Sequence, residues 1–369
     1  MRILITGGAG FIGSFLSDKL LTLGYRVRIF DNLEPQIHRG STPEYLNPGV
    51  EFIRGDVRDY ALLANALEDV DIIFHLASRV GVGQSNYQMK AYTDANIGGM
   101  ANLLDIVINR KLPVQKIIMT ASMTAYGEGN YICALCGIIK PPIRTKQQFI
   151  KNQWDPVCPS CAGTIAAAPT SEEASLDAGS IYALTKHTQE EMLMLVGKMY
   201  RIPVISLRCF NVYGPRQSLS NPYTGVAAIF ISRLKNNKLP VVYEDGEQTR
   251  DFVSVHDVVD ALVAAMIKDS ANYKACNIGS GKPTKIRDIA TILAKILNKD
   301  IEAKITGEYR SNDIRHCFAD IRRAHRLLGW KPRISLKTGL AELIKWSQDQ
   351  RADDDFEQSE KELRDKNLL

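Results

Sequence analysis

The chain has 369 residues, 45% of them hydrophobic and 24% charged, with a net charge of +5. That hydrophobic share supplies a sizeable core and excludes a disordered chain, while so small and scattered a basic excess leaves no footprint for nucleic acid. Seven cysteines are too few for a disulfide scaffold, and no apolar run approaches the about 18 residues that span a bilayer.

Residues 2–6 read as a buried strand that runs straight into a glycine turn, MRILITGGAGFIG. No room for a signal peptide precedes it, so the reducing cytoplasm is the expected compartment. Phe11, Phe15, Leu16, Leu20 and Leu23 recur at helical spacing, and Gly24 stops that helix. Strands follow at 25–30, 51–54, 71–75 and 116–120, with helices at 60–67 and near 93–109. Strands separated by helices imply a parallel, doubly wound α/β sheet of the Rossmann type. Residues 130–170 lack a period and read as an insertion. A helix at 181–199 and a strand at 204–208 resume the pattern. From Phe210 onward Gly and Pro become frequent, which marks a second, smaller region containing amphipathic helices at 255–267 and 286–297. The expected division is a dinucleotide-binding domain over 1–209, carrying the insertion at 130–165, with 252–276 returning to it. Residues 210–251 and 277–348 then form a substrate domain, and 349–369 a charged, solvated tail.

Gly7-Gly8-Ala9-Gly10-Phe11-Ile12-Gly13 lies between a strand and a helix. Its glycines allow a tight turn and a close approach of backbone N–H groups to a pyrophosphate at the helix N-terminus. Asp31, 18 residues after Gly13, ends the next strand. A carboxylate there accepts hydrogen bonds from ribose hydroxyls and repels a 2′-phosphate, which favours NAD over NADP. Asp56 follows the third strand and faces either the adenine or only its own turn.

Tyr182 and Lys186 lie one helical turn apart on one face. A lysine cation beside a phenol lowers its pKa, so the phenolate acts as general base. Ser122, at the end of an earlier strand, is placed to share a hydrogen bond with the substrate oxygen that the tyrosine deprotonates. Two C-x-x-C knuckles, Cys133/Cys136 and Cys158/Cys161, stand 21 residues apart. Four thiolates so spaced suit a tetrahedral structural zinc, which would fold a zinc-ribbon-like insertion too poor in apolar residues to fold by burial. Its place between Ser122 and Tyr182 is expected to lay the insertion over the substrate pocket.

GGAGFIG, Asp31, His75-Leu76-Ala77, Asn96-Ile-Gly-Gly, Ser122, YALTK, the run from Arg208 to Arg216, the run from Asp245 to Val253 and Asn277-Ile-Gly-Ser-Gly281 together resemble the extended short-chain dehydrogenase/reductases that act on nucleotide sugars. The resemblance covers residues 1–348 apart from the insertion. It implies NAD held by Gly7, Gly10, Phe11, Ile12, Gly13, Asp31, Asn32, Asp56, Val57, Leu76, Ala77 and Asn96 together with Tyr182 and Lys186. It implies a nucleotide-diphosphate sugar bound through Ser122, Thr124, Asn211, Arg216, Arg250 and Arg315, and a homodimer built on the helices at 93–109 and 181–199. Arginine forks suit a diphosphate.

The family's dehydratases carry an Asp-Glu pair directly after the position of Ser122, and its decarboxylases keep the Glu. Here those positions are Met123 and Thr124, neither of which is a carboxylic acid. What remains is C4 oxidation followed by return of hydride: epimerisation, or a simple ketoreduction. Residues 31–38, 80–85, 126–129 and 217–225 resemble the dTDP-L-rhamnose 4-epimerases in particular. UDP-glucose or UDP-glucuronate 4-epimerisation stands beside that reading. So does a non-catalytic module that only senses NAD, although an intact Ser122, Tyr182 and Lys186 set has no use in a sensor.

Overall fold

The computed structural model describes residues 1–310 and 312–369. Its centre is a seven-stranded sheet in the order Lys274–Ile278, Val204–Cys209, Lys116–Ser122, Ile72–His75, Arg2–Thr6, Arg26–Asp31 and Glu51–Arg54. Every pair in it is parallel. Strands such as Ile3-Leu4-Ile5 and Ile72-Ile73-Phe74 are apolar without alternation because helices cover both faces. Ile3 and Ile5 pack on one side with Leu16, Leu20, Val258 and Leu262. Leu4, between them, points the other way to Phe30, Leu63, Leu103 and Leu193. Each such side chain contributes about 1.5–3 kcal/mol by leaving water.

From Arg2–Thr6 the chain first builds outward through Arg26–Asp31 and Glu51–Arg54. It then returns to the other side of Arg2–Thr6 as Ile72–His75. That reversal opens a crevice at the carboxyl ends of the strands, where ligands bind in such sheets. The expected long helix at 93–109 divides: Thr93–Gly98 forms a widened i→i+5 turn before the regular helix Gly99–Asn109.

A second region pairs Asn211–Tyr213 with Thr249–Ser254, which also pairs with Pro283–Lys285 and His316–Cys317. It has its own core of Phe230, Ile231, Leu234, Ile289, Leu293, Leu340 and Leu343. The insertion is more regular than its sequence suggests. Gly137–Ile139, Asn130–Cys133 and Ile165–Ala168 form an antiparallel sheet. Thr145 and Gln148 make a reciprocal cap on the short helix Lys146–Ile150.

The charged tail also departs from expectation. Phe356–Asp365 is a helix that buries Phe356, Ser359 and Leu363. These three lie on one helical face, and Phe356 sits beneath the Arg233 guanidinium at 4.5 Å. Among the described residues, no helix is long and apolar enough to cross a membrane.

Candidate active site

One cavity of about 450 Å³ opens at the carboxyl ends of the central strands. Gly7, with φ +70°, has its missing Cβ 2.7 Å from the Ala77 amide nitrogen. A Cβ on Gly13 would lie 2.4 Å from the Gly7 carbonyl oxygen. No side chain caps the helix that starts at Phe11, so its first-turn amides stay open beside Gly10 and Gly13 at the cavity wall. The chemistry fits a pyrophosphate. Gly13→Ala is therefore expected to abolish NAD retention, measured as cofactor released on denaturing the purified protein; a variant that kept full occupancy would refute this role.

Asp31 also lines the cavity, and it does structural work there. One carboxylate oxygen accepts from the Ala9 amide at 3.0 Å and the other from the Leu33 amide at 2.9 Å. A carboxylate has about four lone-pair sites, so acceptors remain for ribose hydroxyls. Asn32 donates to Asp56 at 2.9 Å, and Arg58 grips the same carboxylate. Burial would raise the Asp56 carboxyl, but the hydrogen bonds from Arg58 and Asn32 prevail and hold it at about 2. Val57, Leu76 and Ala77 complete this wall.

Ser122, Tyr182 and Lys186 line the same cavity. The helix Ile181–Tyr200 presents the latter two, and Ser122 ends its strand immediately before a tight turn at Met123–Tyr126. Burial pushes the Tyr182 phenol up to about 12, with the Ser122 hydroxyl pulling the other way. Burial lowers the Lys186 ammonium to about 8. The expected acidification of the phenol by Lys186 is thus corrected: desolvation dominates both groups. Glu190, one turn beyond Lys186, is engaged by Arg208 and Ser206, and its charge only partly offsets the burial of the lysine. Thr124 reaches the site through Ser122, their hydroxyl oxygens 2.9 Å apart.

Several expected ligand contacts lie elsewhere. Asn96, fully buried in the widened turn, accepts from Ser78 and the Arg79 amide and donates to Thr185. It fastens the cavity wall to the helix that bears Tyr182 and Lys186, and does not line the cavity. Arg250 donates to Asp313 and to the carbonyls of Thr249, Ile314 and Arg315. Arg315, only 1% exposed, is held by Asp155, Glu244 and Asp245. Neither arginine lines the cavity, because a buried guanidinium must be paired and these loops supply the carboxylates. The insertion joins the same network through Arg144, which makes two bonds to Glu244 at 2.9 and 2.8 Å. The insertion thus packs on the second region and, among the described residues, contributes nothing to the cavity wall, contrary to expectation.

Asn211 and Arg216 do line the cavity. Arg216 is committed to Asp18 at 2.7 Å and to the faces of Phe15 and Tyr45. Sequence reasoning missed Gln217, Asn221 and Tyr223 on the same wall. Asn211 Oδ1 and Gln217 Oε1 are buried without a partner among the described residues. Buried acceptors of that kind are costly unless a ligand donates to them. No spacing rule flags such residues, since a Gln or Asn in a Gly-Pro-rich loop has no period. The four cysteine sulfurs lie within 4.8 Å of one another.

Comparison with known proteins places this arrangement. A profile described as the NAD dependent epimerase/dehydratase family matches residues 3–145, and one described as GDP-mannose 4,6 dehydratase matches residues 161–343. A dTDP-L-rhamnose 4-epimerase of Burkholderia thailandensis is 37% identical, over 94% of this chain and 94% of its own. The chain belongs to the NAD-dependent epimerase/dehydratase family. Among family structures, the UDP-glucose 4-epimerase of Thermotoga maritima with UDP-glucose is 31% identical with a TM-score of 0.78, over 94% of this chain and 98% of that one. The UDP-glucose 4-epimerase of Thermus thermophilus in complex with NAD is 26% identical with a TM-score of 0.77, over 95% and 100%. The resemblance read from the motifs is borne out.

Proposed function

We propose that this family member is a nucleotide-sugar 4-epimerase that works with bound NAD and interconverts dTDP-L-rhamnose and dTDP-6-deoxy-L-talose. The observation that carries the reading is the shared cavity of Ser122, Tyr182 and Lys186 with the glycine cradle, with Met123 and Thr124 in place of any acid beside Ser122. That absence of a carboxylic acid argues against dehydration, whatever the name of the profile matching residues 161–343.

When bound, NAD supplies reversible acceptance of a hydride. The chain's residues do the rest. Ser122 orients the C4 hydroxyl, and the Tyr182 oxygen takes its proton and later returns it. Lys186 brings a cation to the same cavity. Asn211 and Gln217 offer acceptors that hold the substrate while the planar 4-keto ring turns over. No net redox change results.

The dTDP-L-rhamnose assignment rests on the Burkholderia relative. The Thermotoga structure keeps UDP-glucose as the alternative substrate. Incubating the protein with dTDP- and UDP-sugars and watching C4 by NMR tests both. The expected result is a C4 epimer of dTDP-L-rhamnose with no lasting change at 340 nm. Conversion of UDP-sugars alone would remove the substrate assignment, and a stoichiometric redox change would indicate a ketoreductase instead.

The reading includes a structural Zn2+ on Cys133, Cys136, Cys158 and Cys161, supported by the clustering of four sulfurs from two knuckles. One zinc per chain is expected by elemental analysis, falling to near zero in Cys136→Ser. Metal-free parent protein with an intact fold would dismiss the ion. A homodimer through the exposed Leu184, Leu195 and Met199 stripe of Ile181–Tyr200 completes the proposal.

A further inference from the structure

We propose that the C-terminal helix Phe356–Asp365 acts through Glu362 and Leu363 as a positioning element. It fixes the segment that caps the first turn of the helix bearing Tyr182, and it braces the cavity wall at Tyr223. The inference rests on the epimerase reading for its consequence in turnover, but its structural half stands without it.

The Glu362 carboxylate accepts from the hydroxyl of Tyr87 at 2.8 Å and from that of Tyr223 at 2.7 Å. The two hydroxyl oxygens are 2.6 Å apart. Tyr87 belongs to the cofactor side, just after the short helix Val82–Ser85, and Tyr223 lines the cavity from the substrate side. One carboxylate from the tail therefore joins two walls that are 136 residues apart in sequence. Both donors hold the Glu362 carboxyl below the usual carboxylate range.

The walls are also in van der Waals contact. A Cβ on Gly81 would lie 2.9 Å from Tyr92 Oη and 3.0 Å from Tyr223 Cβ. One on Gly83 would lie 3.1 Å from a Leu363 methyl carbon. Segment 81–87 is thus gripped by Tyr223, Leu363 and Glu362 together.

That segment in turn caps the catalytic helix. Ser85 Oγ accepts from the Tyr182 amide at 3.0 Å, and Asn86 Oδ1 accepts from the Ile181 amide at 3.1 Å. Ser180 accepts from the Ala183 amide, so three successive first-turn donors are satisfied, two of them from the gripped segment. The ring of Tyr92 meets that of Tyr182 edge-on at 6.5 Å, and its hydroxyl donates to Val80 and Gln84. The rest of the C-terminal helix is anchored on the substrate side, by Arg233 to Glu357, Tyr243 to Glu360 and Arg364 to Glu308.

An enzyme that oxidises a sugar and must turn it over before reducing it again has a particular need for such a strap. A 4-keto sugar that escapes leaves its two electrons behind as reduced NAD, and the enzyme stalls. A wall held firm at Tyr223 retains the keto sugar.

The test uses the full chain with its bound NAD and three conservative variants, Glu362→Gln, Tyr223→Phe and Tyr87→Phe. Hydrogen exchange of the amides at 80–87 and 181–183 is expected to quicken about tenfold in Glu362→Gln and Tyr87→Phe, since hydrogen bonds to a charged acceptor are lost. With the substrate found by NMR, Glu362→Gln and Tyr223→Phe are expected to accumulate reduced NAD at 340 nm in about tenfold fewer turnovers than the parent. Tyr87→Phe is expected to lower kcat with little change in KM. Unaltered exchange at 181–183 in both variants overturns the positioning role, whatever the substrate proves to be. A fall in thermal midpoint alone, with kcat, KM and NAD reduction per turnover unchanged, reduces the tail to plain stabilisation. Failure of the parent to epimerise any sugar is a separate outcome that strikes the functional reading and leaves the exchange result standing.

Discussion

Tyr182→Phe is expected to lower kcat by about 10²–10⁴-fold, the range of a positioned acid–base group, while the purified variant retains its NAD. The substitution removes one oxygen and leaves the glycine turn, Asp31 and Lys186 in place. The magnitude follows from the surroundings of that oxygen. Burial holds the phenol up at about 12, with the Ser122 hydroxyl pulling the other way. The oxygen acts as base only in molecules whose phenol has first released its own proton to solvent. Lys186→Met, which removes a cation from the same cavity, should also depress kcat. A Tyr182→Phe variant within tenfold of the parent would mean that some other group takes the proton.

The second large effect falls on stability. Arg315→Met is expected to cost about 3 kcal/mol, because the buried Glu244 is left with Arg144 alone and Asp155 and Asp245 lose their guanidinium. Glu244 is almost wholly buried and answers both Arg315 and Arg144. The measurement is the urea midpoint of the full chain. It also decides between two roles. A ligand-contacting arginine would raise KM and leave the midpoint unchanged, whereas the paired arginine described above lowers the midpoint first. Because Arg144 and Asp155 come from the insertion, loss of its fold should produce the same kind of destabilisation.

Much of this molecule is legible in its residues, for identifiable reasons. The central strands are short runs of Ile, Leu, Val and Phe buried on both faces, and the glycines after the first strand mark a turn where a Cβ cannot fit. Ser122, Tyr182 and Lys186 come together because a parallel sheet brings its carboxyl ends to one edge. Other features follow from partners that spacing does not reveal. An arginine that suits a diphosphate suits a pair of carboxylates equally well, and residues 155, 244 and 245 supply the latter for Arg315. Asn96 looks like a ligand contact until the widened turn aims its amide at Ser78, Arg79 and Thr185. The tail reads as solvated by charge count, yet three residues at positions 356, 359 and 363 are enough to dock it.

Asp31 carries a consequence for redesign. Converting this protein to the phosphorylated dinucleotide would begin, by ordinary reasoning, with neutralising that residue. Here the same carboxylate pins Ala9 within the glycine turn and Leu33 beyond the strand. A neutral replacement would relax the loop that receives the pyrophosphate at the moment it admits the extra phosphate. On the proposed reading, selectivity and loop order share one side chain, and an exchange of coenzyme has to rebuild the second while altering the first.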